Sequence, residues 1–302
     1  MDRRQTPVGK ARSESACFSP EAEMKTPNQA LQPAKLKAEK AYNAAADYFD
    51  AKPLAFWDRY GRRTVERMAL RRGASVLDVC CGTGASALPA AEAVGSDGRV
   101  IAVDLAEELL KLGRAKADAA GLRNIEFRRS DMTDLGFPDY SFDAVVCVFG
   151  VFFVPDMEAQ VAELWRMVRP GGQLAITTWG PGIFAPAYEI WLAAVRRVRP
   201  DLYSAFNPWD RITTPGAVRK LFADAGVSRV DVVPEEGHQA LRAPEDFWMI
   251  ALGSGLRWTI DQMGANVAHE VKQEILGALA AKRIERVGTN VIYAVAQRHE
   301  AA

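Results

Sequence analysis

The chain alternates between short apolar runs and longer stretches in which apolar residues recur at helical spacing. The short runs, many of them β-branched, predict seven strands. They lie at 76–81, 99–104, 124–129, 142–149, 172–179, 227–233 and 290–296. Helical spacing fills most of the intervals between them. Strands that alternate with helices in this way predict a doubly wound α/β sheet, mostly parallel, because parallel neighbours need a crossover connection.

Three segments outside this alternation set the predicted domain organisation. Residues 1–37 are rich in Pro, Ser, Lys, Glu and Ala, with almost no apolar periodicity, and predict a disordered tail. Residues 38–72 have apolar positions at helical spacing and predict N-terminal helices that lead into a main domain at 73–302. Within that domain, about 244–281 predicts one or more helices before the last strand, and we expect this insertion to form a lid over the substrate.

Composition excludes several classes of partner. Lys and Arg together number 38, as do Asp and Glu, so the formal net charge is zero. The chain therefore lacks the basic field that nucleic-acid binding needs. No apolar window is long enough for stable membrane insertion, and the start does not read as a secretory signal. The four cysteines lack zinc-site spacing, so we expect reduced thiols in the cytoplasm and no metal; a homodimer stays open.

Polar chemistry is concentrated where the first two predicted strands end. Gly82 and Gly84 follow the first strand, and Asp104 ends the second. Ligands of open α/β sheets bind at the carboxyl ends of the strands, where glycines let the backbone approach and helix N-termini attract negative groups. A carboxylate at the second strand end is placed to accept both hydroxyls of a ribose. These features predict a nucleoside ligand.

Two other functions share this glycine turn. An NAD-dependent oxidoreductase would use the same strand ends, but its Gly-x-Gly-x-x-Gly fingerprint is incomplete here. The first glycine is absent, and Ala87 stands at the third glycine position. A non-catalytic cofactor-binding module is also an alternative, because the glycine turn predicts binding of a nucleoside but not catalysis.

Five ordered motifs between residues 56 and 180 narrow the choice. They are VLDVCCGTG at 76–84, AVDL at 102–105, SDM at 130–132, SFDAV at 141–145 and LWRMVRPGG at 164–172. This segment resembles class I S-adenosylmethionine-dependent methyltransferases, most of all the ubiquinone/menaquinone-biosynthesis type. The resemblance implies a Rossmann-like sheet with one antiparallel strand, and S-adenosylmethionine as the cofactor. It also implies methyl transfer to a small, partly apolar acceptor such as a quinol, a phenol or another specialised metabolite.

The same resemblance implies which residues surround the cofactor. The turn after the first strand would frame its amino-acid part, Asp104 its ribose, and the residues after the second and third strands its adenine. The full set is Asp78, Cys80, Cys81, Gly82, Gly84, Asp104, Leu105, Asp131, Met132 and Phe149. Cys80 departs from the family pattern, which has its first glycine at this position.

Aromatic residues supply the candidates for the acceptor site. Phe152, Phe153 and Trp179 follow strand ends and are expected to line an apolar pocket. Tyr42 and Tyr48, in the leading helices, are expected to face the cofactor or the acceptor. No catalytic residue is assigned, because displacement at an activated methyl group can rely on alignment and desolvation. The candidate general base is His238, for which a solvated loop histidine is the alternative.

Overall fold

The structure is a computed structural model that describes residues 27–204 and 206–299. The strands are β1 (Ser75–Val79), β2 (Arg99–Asp104), β3 (Ile125–Arg129), β4 (Phe142–Val148), β5 (Val168–Trp179), β6 (Asp231–Glu235), β7 (His238–Ala240), β8 (Arg286–Gly288) and β9 (Val291–Gln297). The helices are α1 (Pro27–Phe49), α2 (Phe56–Met68), α3 (Ala87–Val94), α4 (Glu107–Ala119), α5 (Met157–Arg166), α6 (Ala187–Val198), α7 (Pro215–Asp224), α8 (Pro244–Leu252), α9 (Arg257–Met263) and α10 (Ala265–Ala281). Short 3-10 segments include Val151–Phe153 and Pro208–Ile212.

Seven of the strands form one sheet in the order β3-β2-β1-β4-β5-β9-β6. Neighbours from β3 to β5 pair in parallel, whereas β9 runs antiparallel to both β5 and β6. The predicted α/β sheet with one antiparallel strand is therefore confirmed. The register aligns Val79 of β1 with Val103 of β2 and with Cys147 of β4. Three strand ends thus lie side by side at one edge of the sheet.

The central strands are buried on both faces. Along β2, Val100 and Ala102 belong to one apolar cluster, and Ile101 and Val103 belong to another. Successive side chains point to opposite faces of a strand, so a strand covered by helices on both sides reads as a continuous apolar run. This is why the apolar runs located β1, β2 and β4 to within one or two residues.

The helical part of the chain begins earlier than predicted. α1 starts at Pro27, so the predicted tail boundary at 37 is too late; residues 1–26 lie outside the described residues. A proline suits the first turn of a helix, where its missing N–H has no partner to lose. The Ala, Gln and Lys residues that follow favour helix even though they show no apolar periodicity.

The sixth strand begins at Asp231 rather than at 227. Val227 is apolar and buried because it closes the end of α7: its N–H donates to Phe222 O (2.8 Å), after Gly226 has turned the chain with a φ of 79°. This is a common way for a helix to end. The apolar pattern at 227–230 therefore belongs to the end of a helix, and the prediction that these residues form part of a strand was wrong.

A separate two-stranded sheet was missed altogether. β7 and β8 pair antiparallel, with His238 opposite Gly288. Each strand has three residues, and β7 is largely exposed, so neither gives the alternation by which a strand is recognised. His238 therefore lies in a strand and not in the loop where it was expected.

The predicted insertion consists of α8, α9 and α10, between β7 and β8. α10 packs against α6, while α8 and α9 pack against α1. Phe247, Ile250 and Ile275 are completely buried, so the insertion belongs to the apolar core. Within the part of the chain that the structure describes, no helix has the length and apolarity needed to cross a membrane.

Candidate active site

Hydrogen bonds join the ends of β1 and β2. Cys81 N donates to Val103 O (3.0 Å), and Gly82 N donates to Asp104 Oδ2 (2.9 Å). The other carboxylate oxygen of Asp104 accepts Ala106 N (2.9 Å). Asp104 thus fixes both the turn after β1 and the approach to α4. The glycine turn and the strand-end acid lie together, as the sequence predicted.

These residues border a cavity that we call the strand-end cavity. Its volume, with the open solvent at its mouth included, is about 890 Å³. Its walls come from the ends of β1, β2 and β4 and from α1 and α2. The residues that line it are Ala38, Glu39, Tyr42, Phe49, Trp57, Cys80, Cys81, Gly82, Ala85, Ser86, Val103, Asp104, Leu105, Ala106, Leu109, Ser130, Met132, Val148, Phe149 and Phe153. A mostly apolar wall with a few polar groups is typical of small-molecule sites.

The turn after β1 has an unusual backbone. Gly82 and Gly84 have positive φ angles of 55° and 92°, which glycine adopts without steric cost. Cys80 also has a positive φ, 61°, which costs a residue with a side chain roughly 1–2 kcal/mol. A Cβ atom at Gly84 would lie 3.0 Å from Leu88 Cγ and 3.2 Å from Phe127 Cζ, so the glycine there also permits close packing.

Asp78 lies beneath the floor of the strand-end cavity. It is fully buried, and its Oδ2 accepts Ser86 Oγ (2.7 Å), whereas its Oδ1 has no partner among the described residues. Burial raises the pKa of Asp78 to about 7. An unpartnered carboxylate oxygen next to Ser86, which lines the cavity, fits the ammonium group of an amino-acid ligand.

Asp131, after β3, is already engaged. Its carboxylate forms an ion pair with Lys35 of α1 and accepts the backbone N–H of Thr133 (2.9 Å). The lining at this end comes from its neighbours Ser130 and Met132. An adenine that is read by Asp131 would therefore have to compete with Lys35.

The thiols at the strand ends are held in their protonated form. The pKa of Cys80 is raised most by a hydrogen bond to Cys147 and further by burial. Burial also raises the pKa of Cys81. Because the thiolate is the nucleophile, these environments do not favour thiol catalysis.

A second space, which we call the aromatic cavity, adjoins the first and has a volume of about 1440 Å³ with the open solvent at its mouth included. It lies between α1, α6, α9 and the segment after α6. The residues that line it are Ala34, Lys37, Ala38, Ala41, Tyr42, Trp57, Phe149, Phe152, Phe153, Trp179, Ile183, Phe184, Tyr188, Trp191, Leu192, Val195, Leu202, Tyr203, Ser204, Asn207, Pro208, Trp209, Ser254, Gly255, Leu256, Trp258 and Thr259.

Aromatic rings form the wall that the two cavities share. Phe149, with a φ of 55°, stacks on Trp179 at 4.1 Å between ring centroids. Trp57 meets Phe149 edge to face at 5.4 Å, and Tyr42 meets Phe153 edge to face at 5.6 Å. Aromatic faces attract cations, so this wall suits a positively charged group on the strand-end side.

One helix, α1, borders both cavities. Glu39 pairs with Arg129 of β3 on one side, and Arg257 of α9 donates to Ala44 O (2.8 Å) on the other. Tyr42 lies between these ties and lines both spaces. α1 thereby connects the sheet to the helical insertion.

Residues 37–202 match the ubiE/COQ5 methyltransferase family. This chain belongs to that family. It is an S-adenosylmethionine-dependent methyltransferase that acts on a small molecule. The cofactor inferred from the motifs is confirmed, and the NAD-dependent alternative is not supported.

Relatives of this methyltransferase cover much of its length. A demethylmenaquinone methyltransferase of Listeria monocytogenes is 36% identical over 192 residues, which is 59% of this chain and 80% of that protein. The nocamycin O-methyltransferase of Saccharothrix syringae is 32% identical over 219 residues, or 67% of this chain and 76% of that one. Among solved structures, the YcgJ protein of Bacillus subtilis has the same fold, with a TM-score of 0.55, 17% identity and coverage of 80% of this chain and 100% of that one.

The predicted site residues of this methyltransferase form three sets: those that line the strand-end cavity, those that line the aromatic cavity and those that line neither. The residues predicted to contact cofactor that do line the strand-end cavity are Cys80, Cys81, Gly82, Asp104, Leu105, Met132 and Phe149. Those predicted to contact acceptor that do line the aromatic cavity are Tyr42, Phe152, Phe153 and Trp179. The structure places Asp78, Gly84, Asp131, Tyr48 and His238 in neither lining.

For two of these residues, the structure shows what they contact instead of the cavities. Tyr48 is half-buried in α1, and its backbone carbonyl packs close to Gly253, just after α8. His238 is exposed in β7, where its carbonyl accepts Arg59 Nη2 (3.3 Å). His238 thus lies outside the lining of both cavities, and a role for it as a base stays a prediction.

Sequence reasoning missed several lining residues of this methyltransferase. Trp57 stacks on Phe49 at 5.4 Å between ring centroids, and both line the strand-end cavity. Tyr188 and Asn207 line the aromatic cavity from α6 and from the segment that follows it. Only the helical spacing of Phe49 marked it in the sequence, and spacing predicts packing without saying what is packed.

Proposed function

We propose that this methyltransferase binds S-adenosylmethionine in the strand-end cavity and methylates a phenol-like or quinol-like acceptor in the aromatic cavity. The observation that carries the proposal is the wall shared by the two cavities. Tyr42, Trp57, Phe149 and Phe153 line both, so a methyl group presented at this wall faces an acceptor on its other side. Displacement requires this in-line approach of the two reacting atoms.

Polar groups of the strand-end cavity match the parts of the cofactor. Asp104 offers its carboxylate to the ribose hydroxyls, while the hydroxyl oxygen of Ser86 and the buried carboxylate of Asp78 behind it attract the ammonium group. Phe149 and Trp57 present ring faces and edges where the sulfonium charge would lie. When bound, the cofactor supplies a methyl group that the sulfonium charge has already activated.

The residues of the chain would contribute mainly by aligning the acceptor and excluding water. Tyr42 is the one residue with an ionisable side chain on the shared wall. Burial raises the pKa of Tyr42, and the nearby Asp104 and Cys80 raise it further. Its hydroxyl therefore stays neutral at physiological pH and can donate a hydrogen bond, but it does not act as a base.

The names of relatives support an aromatic or similarly conjugated acceptor. Demethylmenaquinone methyltransferase has a quinone in its name, and nocamycin O-methyltransferase is named for transfer to an oxygen. The aromatic cavity suits a planar ring because aromatic pairs stack or meet edge to face at these distances.

The insertion would act as the substrate lid over this cavity. Ser254, Leu256 and Trp258 reach the aromatic cavity from the start of α9 and the turn before it. The tie from Arg257 to the carbonyl of Ala44 links this wall to α1. Movement of α9 relative to α1 would open the cavity without disturbing the sheet.

The decisive experiment is a methyl-transfer screen with the full chain and S-adenosylmethionine. Matched acceptors should share one ring and differ in the nucleophile: a hydroquinone, a phenol, an aniline and a thiophenol. We expect S-adenosylhomocysteine and a methylated product from the hydroquinone or the phenol, measured by mass spectrometry. Transfer to the aniline or thiophenol alone would contradict the proposed acceptor class.

Filling the aromatic cavity should separate acceptor binding from cofactor binding. Leu192 of α6 is half-buried and lines only the aromatic cavity. We expect Leu192→Trp to raise the KM for the acceptor about 10-fold or more, because a bulky ring occupies space that the acceptor needs. The Kd for S-adenosylmethionine, measured by isothermal titration, should change less than about 2-fold. Leu192→Ala is the matched control, since it enlarges the same site; equal losses in both variants would argue against a steric role.

A further inference from the structure

The aromatic cavity contains no obvious base for removing a proton from an acceptor. Among the described residues that line it there is no Asp, Glu, His or Cys. The one charged side chain in the lining is Lys37, whose ammonium lies 5.8 Å from the ring centroid of Trp258. A positive charge and no carboxylate favour a ligand that is anionic over one that is cationic.

One hydrogen-bonded pair lies in the wall of this cavity. Asn207 Nδ2 donates to Tyr188 Oη (3.3 Å), and both residues line the space. Tyr188 is the second residue of α6, one turn after Phe184, whose ring meets Trp179 edge to face at 5.7 Å. The pair and Trp179 thus line the same cavity, in which Trp179 stacks on Phe149 of the shared wall.

The direction of this hydrogen bond determines what Tyr188 can do. Asn207 begins the 3-10 segment Pro208–Ile212 in a reciprocal capping arrangement with Asp210. The backbone N–H of Asp210 donates to Asn207 O (2.9 Å), and the carboxylate of Asp210 accepts the backbone N–H of Asn207 (2.7 Å). These two bonds hold the backbone of Asn207, while its side-chain amide nitrogen donates to Tyr188. Because a tyrosine hydroxyl has one proton to give, accepting from Asn207 leaves that proton for another partner.

The surroundings of Tyr188 keep that proton in place. Burial raises the pKa of Tyr188; the Asn207 amide opposes this shift, and Asp210, Tyr203 and Glu189 add to it. Tyr188 is therefore a neutral donor at physiological pH and is no base. A donor that is already oriented stabilises negative charge more strongly than water does, once the bound acceptor excludes solvent from it.

We propose that the acceptor binds as an oxyanion, a phenolate or enolate, whose oxygen accepts a hydrogen bond from Tyr188 that Asn207 orients. This inference rests on the proposed function and specifies its acceptor. The acceptor loses its proton to solvent before it reacts. An electron pair of the anion then forms the new bond to the methyl carbon, the carbon–sulfur bond breaks, and its electrons neutralise the sulfonium. No base on the protein is needed.

Binding of 4-nitrophenol tests the charge preference without catalysis. The probe is titrated into the full chain saturated with S-adenosylhomocysteine, and binding is followed by quenching of tryptophan fluorescence across pH 5.5–9. We expect the affinity to rise about 10-fold or more as the phenol ionises, and this gain to be largely lost in Tyr188→Phe. 4-Nitroanisole, which has no ionisable proton, should bind equally to both proteins at every pH. Tighter binding of the neutral phenol than of its anion would overturn the proposal.

Kinetics with a transferable phenol or hydroquinone test the orienting role of Asn207. Asn207→Asp keeps a good capping residue but turns the hydrogen-bond donor into an acceptor, so that Tyr188 would give its proton to the new carboxylate. We expect Asn207→Asp and Tyr188→Phe each to lower kcat/KM about 10- to 100-fold, with the double variant no worse than either. Cofactor affinity and melting temperature, measured in parallel, should stay close to wild type.

The outcomes separate this inference from the proposed function. If no phenol or hydroquinone is methylated by the wild-type protein, the proposed acceptor class fails. If they are methylated but Tyr188→Phe and Asn207→Asp retain wild-type kcat/KM, only the oxyanion site fails. A pH–rate profile adds a further readout: for a series of substituted phenols, the midpoint should follow the pKa of each phenol, because no residue of the protein removes the proton.

Discussion

Replacing Asp104 with alanine is expected to weaken S-adenosylmethionine binding about 100-fold or more. The carboxylate lies at the end of β2, where it fixes the Gly82 amide and faces the strand-end cavity. Its loss would remove the hydrogen bonds to the ribose and loosen the turn that surrounds the amino-acid part of the cofactor. Each charge-assisted hydrogen bond contributes about 1.5–3 kcal/mol, and 1.4 kcal/mol corresponds to a factor of ten in Kd. Isothermal titration would measure the change.

The fold should survive this substitution, because Asp104 is half-buried and contributes no apolar core volume. Asp97→Ala, which removes an exposed carboxylate before the same strand, is a suitable control. We expect it to leave the Kd within about 2-fold of wild type. Wild-type affinity in the Asp104→Ala variant would show that the assignment of the ribose site is incorrect.

Replacing Asp78 with asparagine is expected to make the unliganded protein more stable at high pH. Burial raises the pKa of Asp78 in the folded state to about 7, well above the ordinary value of an aspartate. The folded state therefore holds the proton more tightly than the unfolded state does. The resulting stabilisation is complete below the unfolded pKa and is lost as the pH rises through the folded pKa. Asparagine does not titrate. The free energy of unfolding of the Asp78→Asn variant, relative to that of wild type, should therefore increase by roughly 2–3 kcal/mol between pH 5 and pH 8.

Chemical denaturation of both proteins at several pH values would measure this difference. Asp97→Asn, again exposed, controls for the loss of one carboxylate. A parallel difference at all pH values would contradict the buried-carboxylate explanation.

Cofactor binding should respond to Asp78 in the opposite direction. In wild type we expect the affinity for S-adenosylmethionine to increase as the pH rises through about 7, because the ionised carboxylate attracts the ammonium group. In Asp78→Asn the affinity should be lower, and it should vary little over this range. The same carboxylate would then stabilise the complex and destabilise the unliganded fold, a common trade-off at binding sites.

The strand-end part of the site could be predicted because local backbone rules fix it. Gly82, Gly84 and Asp104 lie where β1 and β2 end, and parallel strands bring their carboxyl ends to one edge of the sheet. No knowledge of helix packing was required. For the same reason the apolar runs predicted the positions of the central strands. Val227, an apolar residue that is buried at the end of α7, was wrongly predicted to be part of a strand.

The aromatic cavity could be predicted only in part: Phe152, Phe153 and Trp179 follow strand ends, whereas its other walls come from segments far apart in the sequence. Tyr188 and Asn207 are unremarkable in a helix and a loop, and their pairing depends on how α6 meets the segment after it. Asp78 and Asp131 matched family motifs, yet burial of one and the Lys35 contact of the other changed what each can offer. A motif specifies a residue's place in the chain, while its partners depend on the tertiary fold.

Because α1 borders both cavities, we expect the affinities for the two ligands to be thermodynamically linked. Any adjustment of α1 that one ligand induces alters the wall presented to the other, through Ala38 and Tyr42. Such coupling is reciprocal: a cofactor that tightens acceptor binding by some factor is itself held more tightly, by the same factor, when the acceptor is present. The reaction removes the sulfonium charge from the cofactor. This loss would then lower the affinity for both products together, which favours their release after each turnover.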